Sequence, residues 1–182
     1  MIFKIVNEQT LGKYLEHIVG MICRYFLMSH WRIAYSEEGI RKYLRKVLTF
    51  KDGVILVDNV SGKITSIAIG YPIKYFSEIH YETLAFSKAM YFEPFVANFD
   101  IGTIDPLADL LEEVKRSAKD YERIVILDAP ESFTLPMFLA NGFEERGEKI
   151  IKVNMWTNIG VRQVPSKRII LVKDLLNRRR CK

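Results

Sequence analysis

Leu11, Tyr14, Leu15, Ile18, Val19, Ile22 and Phe26 recur at spacings of three and four, which puts them on one stripe of an amphipathic helix. Asn7 or Thr10 offers its cap, and Phe3 to Val6 before it reads as a short strand. A second helix is predicted from Ser36 to Leu48. Ser36 can cap it, Glu37 and Glu38 suit the positive end of its dipole, and Ile40, Tyr43, Leu44, Val47 and Leu48 mark one face. Val54 to Val57 and Ile64 to Tyr71 are apolar, β-rich runs on either side of Asp58-Asn59-Val60-Ser61-Gly62-Lys63, a turn-forming cluster, so a hairpin is expected.

The stretch Ser77 to Lys88 has no clean period. Ala89 to Ala97 reads as a strand, but Pro94 has no N–H to give a ladder and implies an edge or a bulge. Asp105-Pro106 has the form of an N-cap followed by proline at the first helical position, leading into Leu107, Leu110, Leu111 and Val114. Ile124 to Leu127 is a short apolar run, as in a strand covered on both faces. Ser132 to Asn141 reads as a short helix that Gly142 would end in a left-handed cap. Glu148 to Trp156 and Lys167 to Val172 are expected as two strands around an irregular loop. The order β, α, α, β, β, β, α, β, α, β, β predicts an α/β (α+β) fold in which helices interrupt a mixed sheet. With no internal repeat and no Pro/Gly/Ser-rich linker, residues 1–176 form one expected domain and 177–182 a basic tail.

Composition agrees. The chain has 182 residues, 49% hydrophobic and 27% charged, the makeup of a single globular domain rather than a disordered, collagen-like or disulfide-framed one. At this length about 70% of the extended-chain surface is buried on folding, so Cys23 and Cys181 need not pair. The opening Met-Ile-Phe-Lys-Ile-Val is strand-like and no apolar stretch approaches membrane-spanning length, so the expectation is a cytoplasmic protein that does not cross a membrane. Charge is uneven: Arg162 to Lys182 holds eight basic residues against Asp174 alone, and the rest of the chain is close to neutral. A basic end finishing in Arg178, Arg179, Arg180 and Lys182 can hold nucleic-acid phosphates, or can be a solvated terminus. Tyr71, Tyr75, Phe76, Tyr81, Phe86, Tyr91, Phe92, Phe95 and Phe99 crowd the middle of the chain, as stacking platforms for bases or, where they alternate on strands, as core.

The element order, together with Phe138-Leu139-Ala140-Asn141-Gly142-Phe143 after the buried strand and short helix, resembles the GNAT (Gcn5-related N-acetyltransferase) superfamily, many of whose members read Tyr-x-x-x-Gly-Phe there. The resemblance extends over nearly the whole chain. It implies a mixed, mostly antiparallel sheet flanked by helices and splayed between its fourth and fifth strands, here Tyr91 to Val96 and Arg123 to Asp128, with a bulge in the fourth that Pro94 suits. It further implies that the splay receives the pantetheine arm of acetyl-CoA against the backbone of Phe95, Val96, Ala97 and Asn98, with Gly102 and Thr103 near the pyrophosphate. Two positions depart from the family pattern. The Gln/Arg-x-x-Gly-x-Gly/Ala segment falls on Gly102 to Leu107, where Asp105 would repel a pyrophosphate and Pro106 removes a donor. Phe138 stands where many members place a tyrosine that protonates the departing thiolate, and phenylalanine cannot donate a proton.

For acyl transfer the amine must lose a proton, so a base near the splay is needed. Glu93 lies on the fourth strand close to where members often put a catalytic glutamate, although period-two alternation equally allows it to face solvent. His80 and Tyr81 fall in the irregular stretch before that strand, which in the family helps form the acceptor side, so Tyr81 is a candidate substrate-binding residue and His80 a second candidate base, or a surface residue. His30-Trp31-Arg32 falls where relatives line the acceptor groove and suits a planar or anionic substrate, or simply packs a helix end. The histidines and cysteines have no metal-ligand spacing, and Ser132 lacks the Gly-x-Ser-x-Gly setting of a nucleophile. The favoured expectation is an N-acetyltransferase using acetyl-CoA on a small-molecule or protein amine. The alternative is a module of the same shape without that activity, which binds or modifies nucleic acid, in the manner of phage Mom-type proteins, or binds a protein partner.

Overall fold

A computed structural model describes residues 2–5, 7–28, 33–76, 88–97, 106–132, 134–157 and 160–175. The chain runs β1 (Ile2–Ile5), α1 (Glu8–Met28), α2 (Glu37–Thr49), β2 (Val54–Val60), β3 (Lys63–Pro72), a 3-10 turn (Ile73–Tyr75), β4 (Ala89–Ala97), α3 (Pro106–Ser117), β5 (Arg123–Asp128), α4 (Leu135–Ala140), β6 (Glu144–Thr157) and β7 (Gly160–Asp174). The caps are local chemistry. Asn7 Oδ1 accepts from the Thr10 N–H at 2.8 Å to open α1, and Ser36 Oγ accepts from the Gly39 N–H at 2.9 Å to open α2. Gly142, at φ +77°, leaves α4 through the left-handed region that a Cβ disfavours.

The seven described strands join one sheet in the order β1-β2-β3-β4-β5-β7-β6, antiparallel except for β4 beside β5. Alternation sends successive side chains to two cores. Ile55, Val57, Ile67, Ile69, Tyr91, Val125 and Leu127 pack with α1 and α2, whereas Leu56, Ala68, Phe92, Ile124 and Ile126 pack with α3 and α4. Both faces are covered, which is why Ile124 to Leu127 is apolar throughout. Gly70 pairs with Phe92 across β3 and β4, and a Cβ there would lie 2.3 Å from the ring, so glycine is needed to let the strands close.

Three expectations are corrected. The segment between the closing strands is not an irregular loop, because β7 begins at Gly160 and pairs with β6 from there on. Residues ahead of Ile169 have β6 on one side and, among the described residues, no strand on the other, the setting that strand Pro165 requires. The helix expected from Ser132 begins only at Leu135, since the Ser132 hydroxyl is engaged with that of Thr134 in the turn before it. The basic stretch is only partly an appendage: Arg162, Lys167, Arg168 and Lys173 lie on β7, and Arg168 is buried. Of the aromatic crowd, Tyr71, Tyr91, Phe92 and Phe95 are buried, Phe76 is half-buried and Tyr75 is exposed, while Tyr81, Phe86 and Phe99 lie outside the described residues. No described helix is long and apolar enough to cross a membrane.

Candidate active site

The site begins where two parallel strands stop pairing. β4 and β5 are in register from Ala89 and Arg123 to Phe92 and Ile126, and no pair follows, although β4 continues to Ala97 and β5 to Asp128. At the same point β4 bulges. Ala68 opposes Phe95 and Gly70 opposes Phe92, so Glu93 and Pro94 together face Ile69 alone, across a cis Glu93–Pro94 peptide. The extra residue resets the alternation: Phe92 and Phe95 share one core, and Tyr91 and Val96 share the other. Pro94 therefore sits at the bulge expected of it.

Glu93 is half-buried and lies at the mouth of the parted strands. The Tyr91 hydroxyl donates to Glu93 Oε2, and the Tyr43 hydroxyl reaches from α2 to donate to the Glu93 carbonyl at 2.6 Å. Burial first, then the neighbouring Glu93 charge, pushes the Tyr91 phenol well up, and burial does the same to Tyr43. Both stay protonated and keep their donor roles.

A cleft of about 30 Å³ lies between the strands, with Glu93, Asp128, Thr134, Phe138, Arg168 and Tyr25 among its walls. Asp128 ends β5 and is 4% exposed. Its Oδ1 accepts from the Ala129 N–H at 2.9 Å, and its Oδ2 from the Thr134 hydroxyl at 2.8 Å. Burial raises its carboxyl above the usual range, while those hydrogen bonds and the Arg168 charge pull the other way and do not overcome it. A carboxyl raised by folding binds its proton more tightly folded than unfolded. Its ionisation therefore opposes folding once the pH has risen through the folded pKa, and the opposition vanishes below the unfolded value near pH 4. Asp128→Asn removes that titration. The stability of the variant relative to wild type, from urea melts, is expected to grow as pH rises from about 4 towards neutrality. A relative stability that falls over this interval would show that loss of the Arg168 partner dominates.

Phe138 is 1% exposed and meets Phe95 and Phe143 edge-on, each at 5.4 Å between ring centres. The position that carries a tyrosine in many GNAT members is here an apolar cleft wall. Of the expected cofactor residues, Phe95 and Val96 are buried and lie with Ala97 on the part of β4 beyond the last β5 pair. Pro106 is the first residue of α3. Asn98, Gly102, Thr103 and Asp105 lie outside the described residues, as do His80, Tyr81, His30, Trp31, Arg32, Arg178, Arg179, Arg180 and Lys182.

On the other side of Glu93 a larger pocket of about 400 Å³ opens between α1, α2, β4 and β6. Its outer wall is closed by the segment after α1, where the Ala34 N–H donates to the Asn154 carbonyl at 2.7 Å and Ile33 bridges to Met155. Glu93 lines both spaces and stands at their junction.

Sequence reasoning missed Tyr43, Tyr91, Asp128, Thr134 and Arg168. Asp128 carried a signal, as the polar residue ending a buried parallel strand, where crevices form in α/β sheets. Tyr91 carried another, two residues from Glu93 on the same strand. Arg168 carried none, because only the pairing of β7 with β5 brings it to the cleft.

No protein-family model matches the chain, and no curated protein does. Solved structures do match. The ribosomal-protein-alanine N-acetyltransferase of Brucella melitensis superposes with a TM-score of 0.68 at 12% identity, over 96% of this chain and 99% of that one. A GNAT-family acetyltransferase of Streptococcus pneumoniae gives 0.64 at 14% identity, over 96% and 99%. A GNAT-family acetyltransferase of Elizabethkingia anophelis with acetyl-CoA bound gives 0.58 at 15% identity, over 96% and 97%. The chain has the GNAT acetyltransferase fold, a seven-stranded, mostly antiparallel sheet with one parallel pair at its centre.

Proposed function

We propose that the protein is an N-acetyltransferase that takes its acyl group from acetyl-CoA and delivers it to an amine. The observation that carries this reading is the parting of β4 from β5 immediately after Phe92 and Ile126, with Glu93 at the mouth and a separate pocket beyond it. Phe95 to Ala97 pair with β3 on one side and, among the described residues, have no partner strand on the β5 side, which leaves a backbone edge for a thin hydrogen-bonding arm. The residues present fit the pantetheine part of acetyl-CoA. Their fit to its pyrophosphate is poorer, because Pro106 at the start of α3 contributes no N–H.

When bound, acetyl-CoA supplies an activated thioester carbonyl. The protein's part is to bring an uncharged amine to it. In this reading Glu93 receives the ammonium proton, which its hydrogen bond from the Tyr91 hydroxyl and the Tyr43 hydrogen bond to its backbone carbonyl support. Phe138 contributes a packed wall and no proton. The solved GNAT neighbour that holds acetyl-CoA supports the choice of acyl donor.

Calorimetric titration with acetyl-CoA tests the reading. A dissociation constant weaker than about 1 μM is expected, given Pro106 as the first residue of α3 and Asp105 before it in the sequence, and Asp105→Gly is expected to tighten it by removing a like charge. No binding at about 1 mM, in the wild type and in Asp105→Gly alike, would sink the proposal.

A further inference from the structure

The pocket beyond Glu93 has a chemistry of its own, and it narrows the acceptor if the acetyl-transfer reading holds. Its volume of about 400 Å³ is at the small end of the range for organic ligands, roughly 300 to 1,000 Å³. Its walls are apolar and aromatic. Ile22 and Ile40 come from α1 and α2, and the Tyr43 and Tyr71 rings meet edge-on at 6.3 Å. On β6 the strand alternation turns half-buried Ile151 and Val153 to this side and exposes Lys152 and Asn154 on the other. Lys152 and Asn154 also border the pocket but are the exposed positions of the strand, and the Asn154 carbonyl is taken by the Ala34 N–H. Among the described residues around the pocket, Glu93 supplies the charged side chain that belongs to this side, and it stands at the inner end beside the parted strands.

One negative charge at the end of an apolar, aromatic chamber matches one ammonium carried on an apolar body. A ligand with further ammonium groups would have to bury them against Ile and Tyr side chains, where the described residues offer no second counter-charge, which is costly. A phenyl or alkyl body instead buries apolar surface against the same walls, while its single ammonium meets the Glu93 carboxylate. We infer that the acceptor is a small monoamine with an aryl or alkyl body, and that polyamines are excluded. The inference rests on the pocket being the acceptor side of an acetyltransferase.

Calorimetry on the full chain without acetyl-CoA, using 2-phenylethylamine and spermidine at matched ionic strength, tests it. 2-Phenylethylamine is expected to bind at least about tenfold more tightly than spermidine, and Glu93→Gln to weaken it by at least about tenfold. Ile151→Glu, at a half-buried position of β6, adds a second carboxylate and is expected to move the preference towards spermidine by about tenfold. Spermidine binding as tightly as 2-phenylethylamine to the wild type would overturn the inference, as would 2-phenylethylamine binding that neither substitution alters. Adding acetyl-CoA separates the two readings. Tight, Glu93-dependent amine binding without acetyl transfer removes the enzyme reading and supports the ligand class, whereas transfer to spermidine in preference to 2-phenylethylamine removes the ligand class and supports the enzyme.

Discussion

Glu93→Gln is expected to lower the rate of acetyl transfer by about 10²- to 10⁴-fold, the usual contribution of a general base, or about 3 to 5.5 kcal/mol in the barrier. The substitution is nearly isosteric. Its amide oxygen can still accept from the Tyr91 hydroxyl, and the Tyr43 hydrogen bond is to the backbone carbonyl, which does not change. Folding and acetyl-CoA affinity should therefore be close to wild type, and the loss should fall on kcat. The pH profile separates a base from a merely structural residue. In the wild type the rate should rise as Glu93 ionises, and in the variant that limb should disappear. A variant that keeps at least a tenth of wild-type activity with its pH limb intact would assign the proton transfer to another group. Tyr91→Phe should have a smaller effect, because it removes a donor that orients Glu93 and leaves the carboxylate in place.

Phe143→Ala should cost about 3 to 5 kcal/mol of stability, the range for emptying a buried phenylalanine site. Phe143 is 3% exposed and follows Gly142, whose left-handed backbone turns the chain from α4 into β6. Its N–H donates to the Phe138 carbonyl at 3.1 Å, its ring meets Phe138 edge-on, and the Lys173 ammonium lies 5.7 Å from the ring centre. The alanine variant keeps the backbone hydrogen bond and loses both ring contacts. Because Phe138 in turn contacts Phe95 and lines the cleft, the cavity should loosen that cleft and weaken the proposed acetyl-CoA binding as well. Urea denaturation gives the stability term, and a loss below about 1 kcal/mol would show that the site collapses around the missing ring. A double-mutant cycle with Phe138→Leu should reveal a coupling of about 0.5 to 1.5 kcal/mol between the rings.

The sequence by itself determined features whose energetics are local. Ser36 and Asn7 cap helices because their side-chain oxygens reach N–H groups three residues on. Gly142 ends α4 because only its own backbone conformation matters there. The period of three and four in α1 and the apolar run in β5 record which faces are covered, so the number, order and kind of elements were legible, and with them the resemblance to the GNAT fold. Pro94 marked a bulge because a missing N–H is visible in a sequence.

The tertiary structure decided where strands stop pairing and which distant charges meet. Nothing in Tyr91 to Val96 indicates that the pairing with β5 ends at Phe92, since that depends on how the whole sheet twists around the bulge. The bulge shifts the alternation by one residue, so the face of Glu93 could not be read from period two. Arg168 resembled part of a basic tail until β7 slotted between β5 and β6 and buried it beside Asp128, a neighbour forty positions away. Tyr43 packs on one face of α2 by its period, but the hydrogen bond it makes depends on the separation of a helix from a strand fifty residues further on. Propensities and caps act over three or four residues. A site assembled from β4, β5, β7 and two helices is set by long-range packing, which no local pattern encodes.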